Sequence, residues 1–117
     1  MPRLDVRHWL CDVGAACDLI RIKTADLCFE EYAEDAFLRG GVERRFKIIP
    51  EALKRTLLAE PGLGLRFPEA DELYRFRNIL AHGYDIVDHA KVWTIIRQDV
   101  PALRDKSDQI LSERPPF

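Results

Sequence analysis

The sequence predicts an all-α fold, an antiparallel up-and-down helical bundle with four principal helices and a broken C-terminal helix. Apolar residues recur every three or four positions along most of the chain. Segments rich in glycine and proline separate these runs, and no run shows the alternation that marks a strand. The 117 residues fit a single domain spanning 1–117, with 112–117 expected to be a flexible tail.

The first helix is predicted by a seam of apolar and small residues whose spacing alternates between four and three. The seam consists of Val6, Leu10, Val13, Cys17, Ile20, Thr24 and Leu27. The three cysteines, Cys11, Cys17 and Cys28, match no zinc-binding spacing, so we expect buried, reduced thiols and no metal site.

A second helix is expected after Thr24, which has a side chain suited to capping it. Its apolar positions are Phe29, Tyr32, Ala33, Ala36 and Phe37, and its acidic residues are Glu30, Glu31, Glu34 and Asp35. A di-metal bundle would need histidine three residues after a glutamate, so a solvated acidic face is the better interpretation. Gly40-Gly41 is expected to end this helix.

The third helix should begin near Val42, with Phe46, Ile49 and Leu53 on its core face and a kink at Pro50. This is also the most basic part of the chain, with Arg44, Arg45 and Lys47 among its cations. The residues alone leave two interpretations open. The cations could track a phosphate backbone, or they could form an ordinary solvated face.

The fourth helix is expected to open at Phe67-Pro68, with Leu73, Phe76 and Leu80 facing the core. Gly83 is placed to be the left-handed residue just past its end. Asp88 should cap a fifth helix, which the segment Asp99-Val100-Pro101 should break or kink before it continues to Leu111.

The end of the fourth helix gathers reactive side chains that occur together nowhere else in the chain: Arg77, Asn78, His82 and Tyr84. Histidine suits acid–base work near neutral pH, and the guanidinium fork of arginine suits a phosphate. Arg77 and His82 are five residues apart, so they point about 140° away from each other around the helix. They would converge on a shared cleft if a second copy of the helix lay opposite, which favours a two-fold homodimer. A histidine that merely caps the helix dipole in a helical scaffold is the alternative.

The stretch Arg77-Asn78-Ile79-Leu80-Ala81-His82-Gly83-Tyr84 resembles the signature of the HepT-like branch of the HEPN superfamily. Residues 41–52 resemble the third-helix segment of that family, and residues 92–103 resemble its closing segment. Pro50 is a departure, because relatives more often have glycine there. The resemblance covers most of the chain, in order.

The resemblance implies an all-helical homodimer that cleaves RNA without a metal or other cofactor, and tRNA is one candidate substrate. Arg77 and His82 would be the catalytic pair at the dimer cleft, with Asn78 and Tyr84 positioning the substrate. It also implies a toxin neutralised by a cognate MNT-type nucleotidyltransferase antitoxin, which would transfer AMP to Tyr84. With the resemblance, RNA contact by Arg44, Arg45 and Lys47 gains weight. The rival hypothesis is a non-catalytic partner and modification substrate of such a transferase.

The bulk properties constrain the setting. The formal net charge is −2, which does not suggest a protein that coats nucleic acid nonspecifically. Charged residues occupy the N-terminal segment, and no apolar run approaches membrane-spanning length. We therefore expect a cytoplasmic protein with no membrane partner.

Overall fold

The computed structural model of the chain describes the backbone of residues 2–82 and 87–114 and the side chains of residues 6–81 and 87–114. Within these ranges the chain is helical and contains no strand. The helices are α1 (Pro2–Thr24), α2 (Phe29–Glu34), α3 (Ala36–Ala59), α4 (Ala70–His82) and α5 (His89–Ser112), with a short 3-10 helix at Pro61–Arg66. The all-α prediction is confirmed.

Helix α1 is the centre of the bundle and packs against both α3 and α5. Long-range hydrogen bonds show that α1 and α5 run antiparallel. Arg7 donates to the Leu111 carbonyl (3.3 Å) at one end, and Arg97 donates to the Thr24 carbonyl (3.1 Å) at the other. Helix α4 packs on α3, where the Phe46 and Phe76 rings meet edge to face at 5.5 Å.

The core is built from the apolar faces that the sequence predicts. Its buried members include Val6, Leu10, Val13, Cys17 and Ile20 of α1, Val42, Phe46, Ile49 and Leu53 of α3, Leu73 and Phe76 of α4, and Val92, Ile95, Ile96, Leu103 and Ile110 of α5. Each large apolar side chain contributes roughly 1.5–3 kcal/mol when fully buried, so these stripes supply the main driving force for the bundle.

The predicted boundary between the second and third helices is wrong. Helix α2 ends at Glu34, and the Asp35 carboxylate accepts a hydrogen bond from the Leu38 N–H (2.9 Å), which caps α3 at Ala36. Gly40 and Gly41 therefore lie inside α3, because a satisfied N-cap starts a helix more strongly than two glycines stop it. Phe37 consequently falls in the first turn of α3 and is 95% exposed.

The predicted cap at Thr24 is also wrong. Thr24 is the last residue of α1, and its hydroxyl donates to the Ile20 carbonyl (2.7 Å) within the same helix. Cys28 is the N-cap residue of α2, and its backbone N–H donates to the Glu31 carboxylate (2.9 Å). The four acidic side chains of this region, Glu30, Glu31, Glu34 and Asp35, are exposed, as predicted.

The break predicted at Pro101 does not occur, because α5 is one continuous helix through that position. Proline removes one backbone donor, but Val100 and Leu103 on either side are fully buried and hold the helix in place. Pro50 likewise lies inside α3 and is itself buried. The N-cap predicted for α5 is confirmed, since the Asp88 carboxylate accepts from the Lys91 N–H (3.1 Å).

The C-terminal residues that the structure describes, 112–114, are held by helical structure and by ion pairs. Ser112 belongs to α5, Glu113 pairs with Arg66 (2.7 Å), and Arg114 pairs with Glu60. The predicted tail is thus corrected for residues 112–114, whereas residues 115–117 lie outside the described range.

The cysteine prediction holds for one thiol of three. Cys17 is fully buried in the core, but Cys11 and Cys28 are exposed. Cys11 lies off the apolar seam of α1, and Cys28 precedes the first turn of α2, so neither is carried into the core. In the ranges described here, no helix is both long and apolar enough to cross a membrane.

Candidate functional site

The packing of α4 on α3 positions Arg77. Phe76 is buried against Phe46 and fixes the rotation of α4 about its axis. The next residue points about 100° away, which brings the half-buried Arg77 to the edge of a groove. Arg77 hydrogen-bonds to the side-chain oxygen of Asn78 at 3.5 Å.

Three helices form this groove, which we call the basic groove and which has a volume of about 400 Å³. Helix α1 contributes three lining residues, α3 contributes six, and α4 contributes Arg77. The lining residues are His8, Trp9, Asp12, Arg44, Lys47, Ile48, Glu51, Ala52, Arg55 and Arg77.

The contribution of α3 follows from helical spacing. The six lining residues on this helix form two rows with a spacing of four residues, and the rows are offset from each other by three, so together they form one stripe along its length. They are Arg44, Lys47, Ile48, Glu51, Ala52 and Arg55. Cations thus stand at both ends of the stripe, with the apolar Ile48 and Ala52 between them.

The charges in the basic groove do not cancel. Each carboxylate already has a basic neighbour, since Asp12 lies 3.5 Å from His8 and Glu51 lies 3.3 Å from Arg55. In the part of the chain that the structure describes, Arg44, Lys47 and Arg77 form no ion pair. Three cations therefore face the groove without a carboxylate partner, which suits a polyanionic ligand.

The structure brings together only some of the residues singled out from the sequence. Arg77, Arg44 and Lys47 share the basic groove, and Asn78 is next to Arg77. Arg45 lines a different groove. His82 is the last residue of α4, but only its backbone is described. The side chain of His82 and the residues Gly83 and Tyr84 lie outside the described part of the chain.

The second groove, here the apolar groove, lies between the C-terminal half of α1 and the start of α3 and has a volume of about 510 Å³. Most of its lining is hydrophobic: Leu19, Ile20, Leu27, Phe37, Leu38 and Val42, with Gly41, Lys23, Asp35 and Arg45 completing it. The sequence did not predict it, because it depends on the early start of α3.

Seven lining residues of the basic groove were not predicted as site residues, and three of them have aromatic or basic side chains: His8, Trp9 and Arg55. For Arg55 a signal existed, because it continues the Arg44–Lys47–Glu51 spacing by one more turn. For His8 and Trp9 none did, since only the packing of α1 beside α3 brings them near Arg77. Among the described side chains, no group of three His, Cys, Asp or Glu residues is placed to hold a metal ion.

The described part of the chain is an all-helical bundle, and its basic groove is lined by Arg77 from the stretch Arg77–Tyr84. The chain belongs to the Ribonuclease HepT-like family, a branch of the HEPN superfamily, whose model matches residues 13–110.

Relatives of this family support the assignment over nearly the whole chain. "Probable ribonuclease HepT" of Thermococcus cleftensis is 31% identical over 104 residues, covering 89% of this chain and 94% of the relative. "Putative RNase MJ1380" of Methanocaldococcus jannaschii is 31% identical over 107 residues, with coverage of 89% and 94%. A second protein of that organism, "Putative RNase MJ0125", is 26% identical over 115 residues, with 97% of each chain covered. No solved structure gave a significant match.

Proposed function

We propose that this protein is a toxin-type, metal-independent endoribonuclease that cleaves RNA, with tRNA as a candidate substrate. The observation that carries the proposal is the position of Arg77. This arginine of the family-like stretch opens onto the same groove as Arg44 and Lys47, and none of the three forms an ion pair with a carboxylate among the described residues. Membership of a ribonuclease family supports the same conclusion.

The proposed reaction is an internal transfer at phosphorus. The ribose 2′-oxygen attacks the adjacent phosphate, the bond from phosphorus to the 5′-oxygen breaks, and a 2′,3′-cyclic phosphate and a 5′-hydroxyl result. His82 moves the proton, as the base for the 2′-hydroxyl or as the acid for the leaving oxygen. Arg77 stabilises the negative charge that develops on the phosphate oxygens. Asn78, already bonded to Arg77, orients that guanidinium or His82.

A homodimer would complete this site. Positions 77 and 82 both belong to α4, and at 100° per residue a spacing of five corresponds to about 140° around a helix axis, so we do not expect one helix to present both groups side by side. A two-fold axis beside α4 would let Arg77 of one protomer and His82 of the other act on one phosphate. Sedimentation of the purified protein tests this step, since a monomer under assay conditions would contradict it.

Tyr84 is the proposed control point. An MNT-type nucleotidyltransferase antitoxin would transfer AMP to its hydroxyl, adding bulk and negative charge seven residues after Arg77 in the sequence and repelling RNA. Intact-mass and peptide mass spectrometry after co-expression with an MNT-type transferase should show one adenylyl group on Tyr84. Unmodified Tyr84 with no co-purifying transferase would contradict this regulation.

The nuclease proposal is tested by incubating the purified protein with tRNA in EDTA. We expect cleavage by the wild type, products with 2′,3′-cyclic phosphate ends, and almost none with His82→Ala. Intact RNA with the wild type, or equal cleavage by His82→Ala, would contradict the proposal. Absent cleavage by the unmodified protein, together with AMP transfer to Tyr84 on co-expression with the transferase, would instead establish the non-catalytic partner and modification substrate.

A further inference from the structure

The two tryptophans of the chain differ in what covers them. Trp93 is enclosed: the Arg97 guanidinium lies 4.3 Å from its ring centroid, and the Tyr32 ring lies at 5.3 Å. Trp9 packs against the core on one side and lines the basic groove on the other. Among the described residues, no aromatic ring or guanidinium is stacked on Trp9.

Trp9 shares the basic groove with apolar side chains and with cations. Ile48 and Ala52 lie in the same groove on the facing stripe of α3, and the unpaired Arg44 and Lys47 stand at one end of it. A nucleotide has these two parts as well, a flat base with a π-face and a charged phosphate. Proteins that hold single-stranded nucleic acid use this pairing of aromatic platform and cationic track.

We propose that Trp9 is a stacking platform for one RNA base, and that Arg44 and Lys47 bind the phosphates beside that base. The basic groove is then a binding subsite for single-stranded RNA next to the phosphate that Arg77 contacts. This inference rests on the proposed nuclease function, and it adds the residues that hold the substrate strand away from the cleaved bond.

The dimensions of the groove agree with a strand of several nucleotides. Arg44 and Arg55 are eleven residues apart on α3, which corresponds to about 16 Å at 1.5 Å per residue. A stacked strand advances about 3.4 Å per nucleotide, so the stripe is longer than one nucleotide. A duplex is excluded from this mode of binding, because a paired base offers no free face to Trp9 unless it unstacks.

The test uses the fluorescence of Trp9 itself. In a Trp93→Phe background, Trp9 is the sole tryptophan, and circular dichroism checks that the fold is retained. The ligand is a short single-stranded 2′-O-methyl RNA, which the proposed reaction does not cleave because its 2′-oxygen is blocked. Binding should quench the Trp9 emission in proportion to occupancy. An abasic oligomer with the same backbone should bind more weakly and leave the emission unchanged.

Two substitutions separate stacking from packing. Trp9→Leu keeps an apolar side chain but removes the π-face, and it should raise the Kd for the base-containing oligomer about tenfold while leaving the Kd for the abasic oligomer unchanged. Trp9→Phe keeps a ring and should bind within about threefold of the parent protein. Unquenched Trp9 in the RNA complex, or equal affinities of the Trp9→Leu and parent proteins, would overturn the inference.

The outcomes distinguish this inference from the nuclease proposal. Quenching of Trp9 without cleavage of tRNA by the wild type would retain the RNA subsite and remove the nuclease. Cleavage of tRNA without quenching, with Trp9→Leu cutting as fast as the wild type, would retain the nuclease and remove the subsite.

Discussion

Two grooves lie along the contact between α1 and α3, one toward each end, and they differ in chemistry. The basic groove combines Arg44, Lys47 and Arg77 with the platform of Trp9. Most of the side chains that line the apolar groove are hydrophobic: Leu19, Ile20, Leu27, Phe37, Leu38 and Val42. The consecutive residues Arg44 and Arg45 fall in different grooves, because successive side chains on a helix point about 100° apart.

The difference between the grooves shows how a protein with a net charge of −2 can present a polyanion-binding surface. The net charge is a sum over the whole chain. The basic groove, in contrast, collects Arg44 and Lys47 from one stripe of α3 and Arg77 from α4, and these three cations form no ion pair among the described residues. The carboxylates of the same groove are already matched with His8 and Arg55. The electrostatic potential in the basic groove therefore depends on which of its charged side chains form ion pairs, and not on the net charge of the chain.

The largest effect on the free energy of unfolding should come from a substitution in the hydrophobic core beneath the two grooves. Phe46→Ala should lower the free energy of unfolding by about 3–5 kcal/mol, because Phe46 is fully buried and leaves a cavity. Phe37→Ala, its counterpart in the apolar groove, should change that free energy by at most about 0.5 kcal/mol, since Phe37 is 95% exposed. Urea denaturation measures both. A large loss with Phe37→Ala would mean that the apolar groove belongs to the core.

Charge reversal should separate the two grooves in RNA binding. The double variant Arg44→Glu with Lys47→Glu should weaken binding of single-stranded RNA at least about tenfold and reduce the slope of log K against log salt by about two. Arg45→Glu should have the smaller effect, because its side chain lines the apolar groove. Filter binding at several salt concentrations is the measurement. Equal losses from Arg44→Glu and Arg45→Glu singly would remove the distinction between the grooves.

Thiol chemistry should distinguish the buried and exposed faces of α1. Burial is the main cause that raises the pKa of Cys17 from 9.0 to about 12, and Asp18 adds to it. Cys11 and Cys28 should react with a thiol reagent at pH 8 in the native protein, and Cys17 should react only after unfolding. Counting labelled thiols by mass spectrometry decides it, and three rapid labels on the folded protein would contradict the packing of α1.

The same thiol predicts a pH dependence with a definite sign. Well below pH 9 Cys17 is protonated in both states and contributes no slope. Between pH 9 and about 12 the unfolded chain loses this proton while the folded chain keeps it, so the free energy of unfolding falls as pH rises. Urea denaturation at pH 8 and pH 10 should show a smaller decrease for Cys17→Ala than for the wild type. Identical decreases would contradict the burial of this thiol.

Periodicity was sufficient to predict the fold, because burial of apolar stripes dominates the folding of a bundle. The seam from Val6 to Ile20 and the face from Val42 to Leu53 are buried as predicted. The errors are local. The cap at Asp35 outweighed the signal of Gly40-Gly41, and buried neighbours carried α5 through Pro101. Helix caps and side-chain packing favour a helix by about 1–3 kcal/mol, and glycine or proline inside the helix disfavours it by a similar free energy. The spacing of residues in the sequence does not show which effect is larger.

The site was predictable only where its residues are close in sequence. The stretch from Arg77 to Tyr84 is visible in the chain, and its chemistry follows from residue types. Trp9 is about 70 residues away from Arg77 in sequence. The apolar seam of α1 predicts which residues of α1 face the core, but it does not predict which helix lies next to Trp9. That neighbour depends on the tertiary packing of α1, α3 and α4.

The central claim, that the groove at Arg77 is where RNA is cut, is tested most directly by comparing two arginines of α4. Arg77 lines the basic groove, whereas Arg75 is exposed and does not line it. In the EDTA assay with tRNA, Arg77→Ala should cleave about 10²–10³-fold more slowly than the wild type, and Arg75→Ala should cleave at close to the wild-type rate. Equal rates for Arg77→Ala and the wild type would contradict the account.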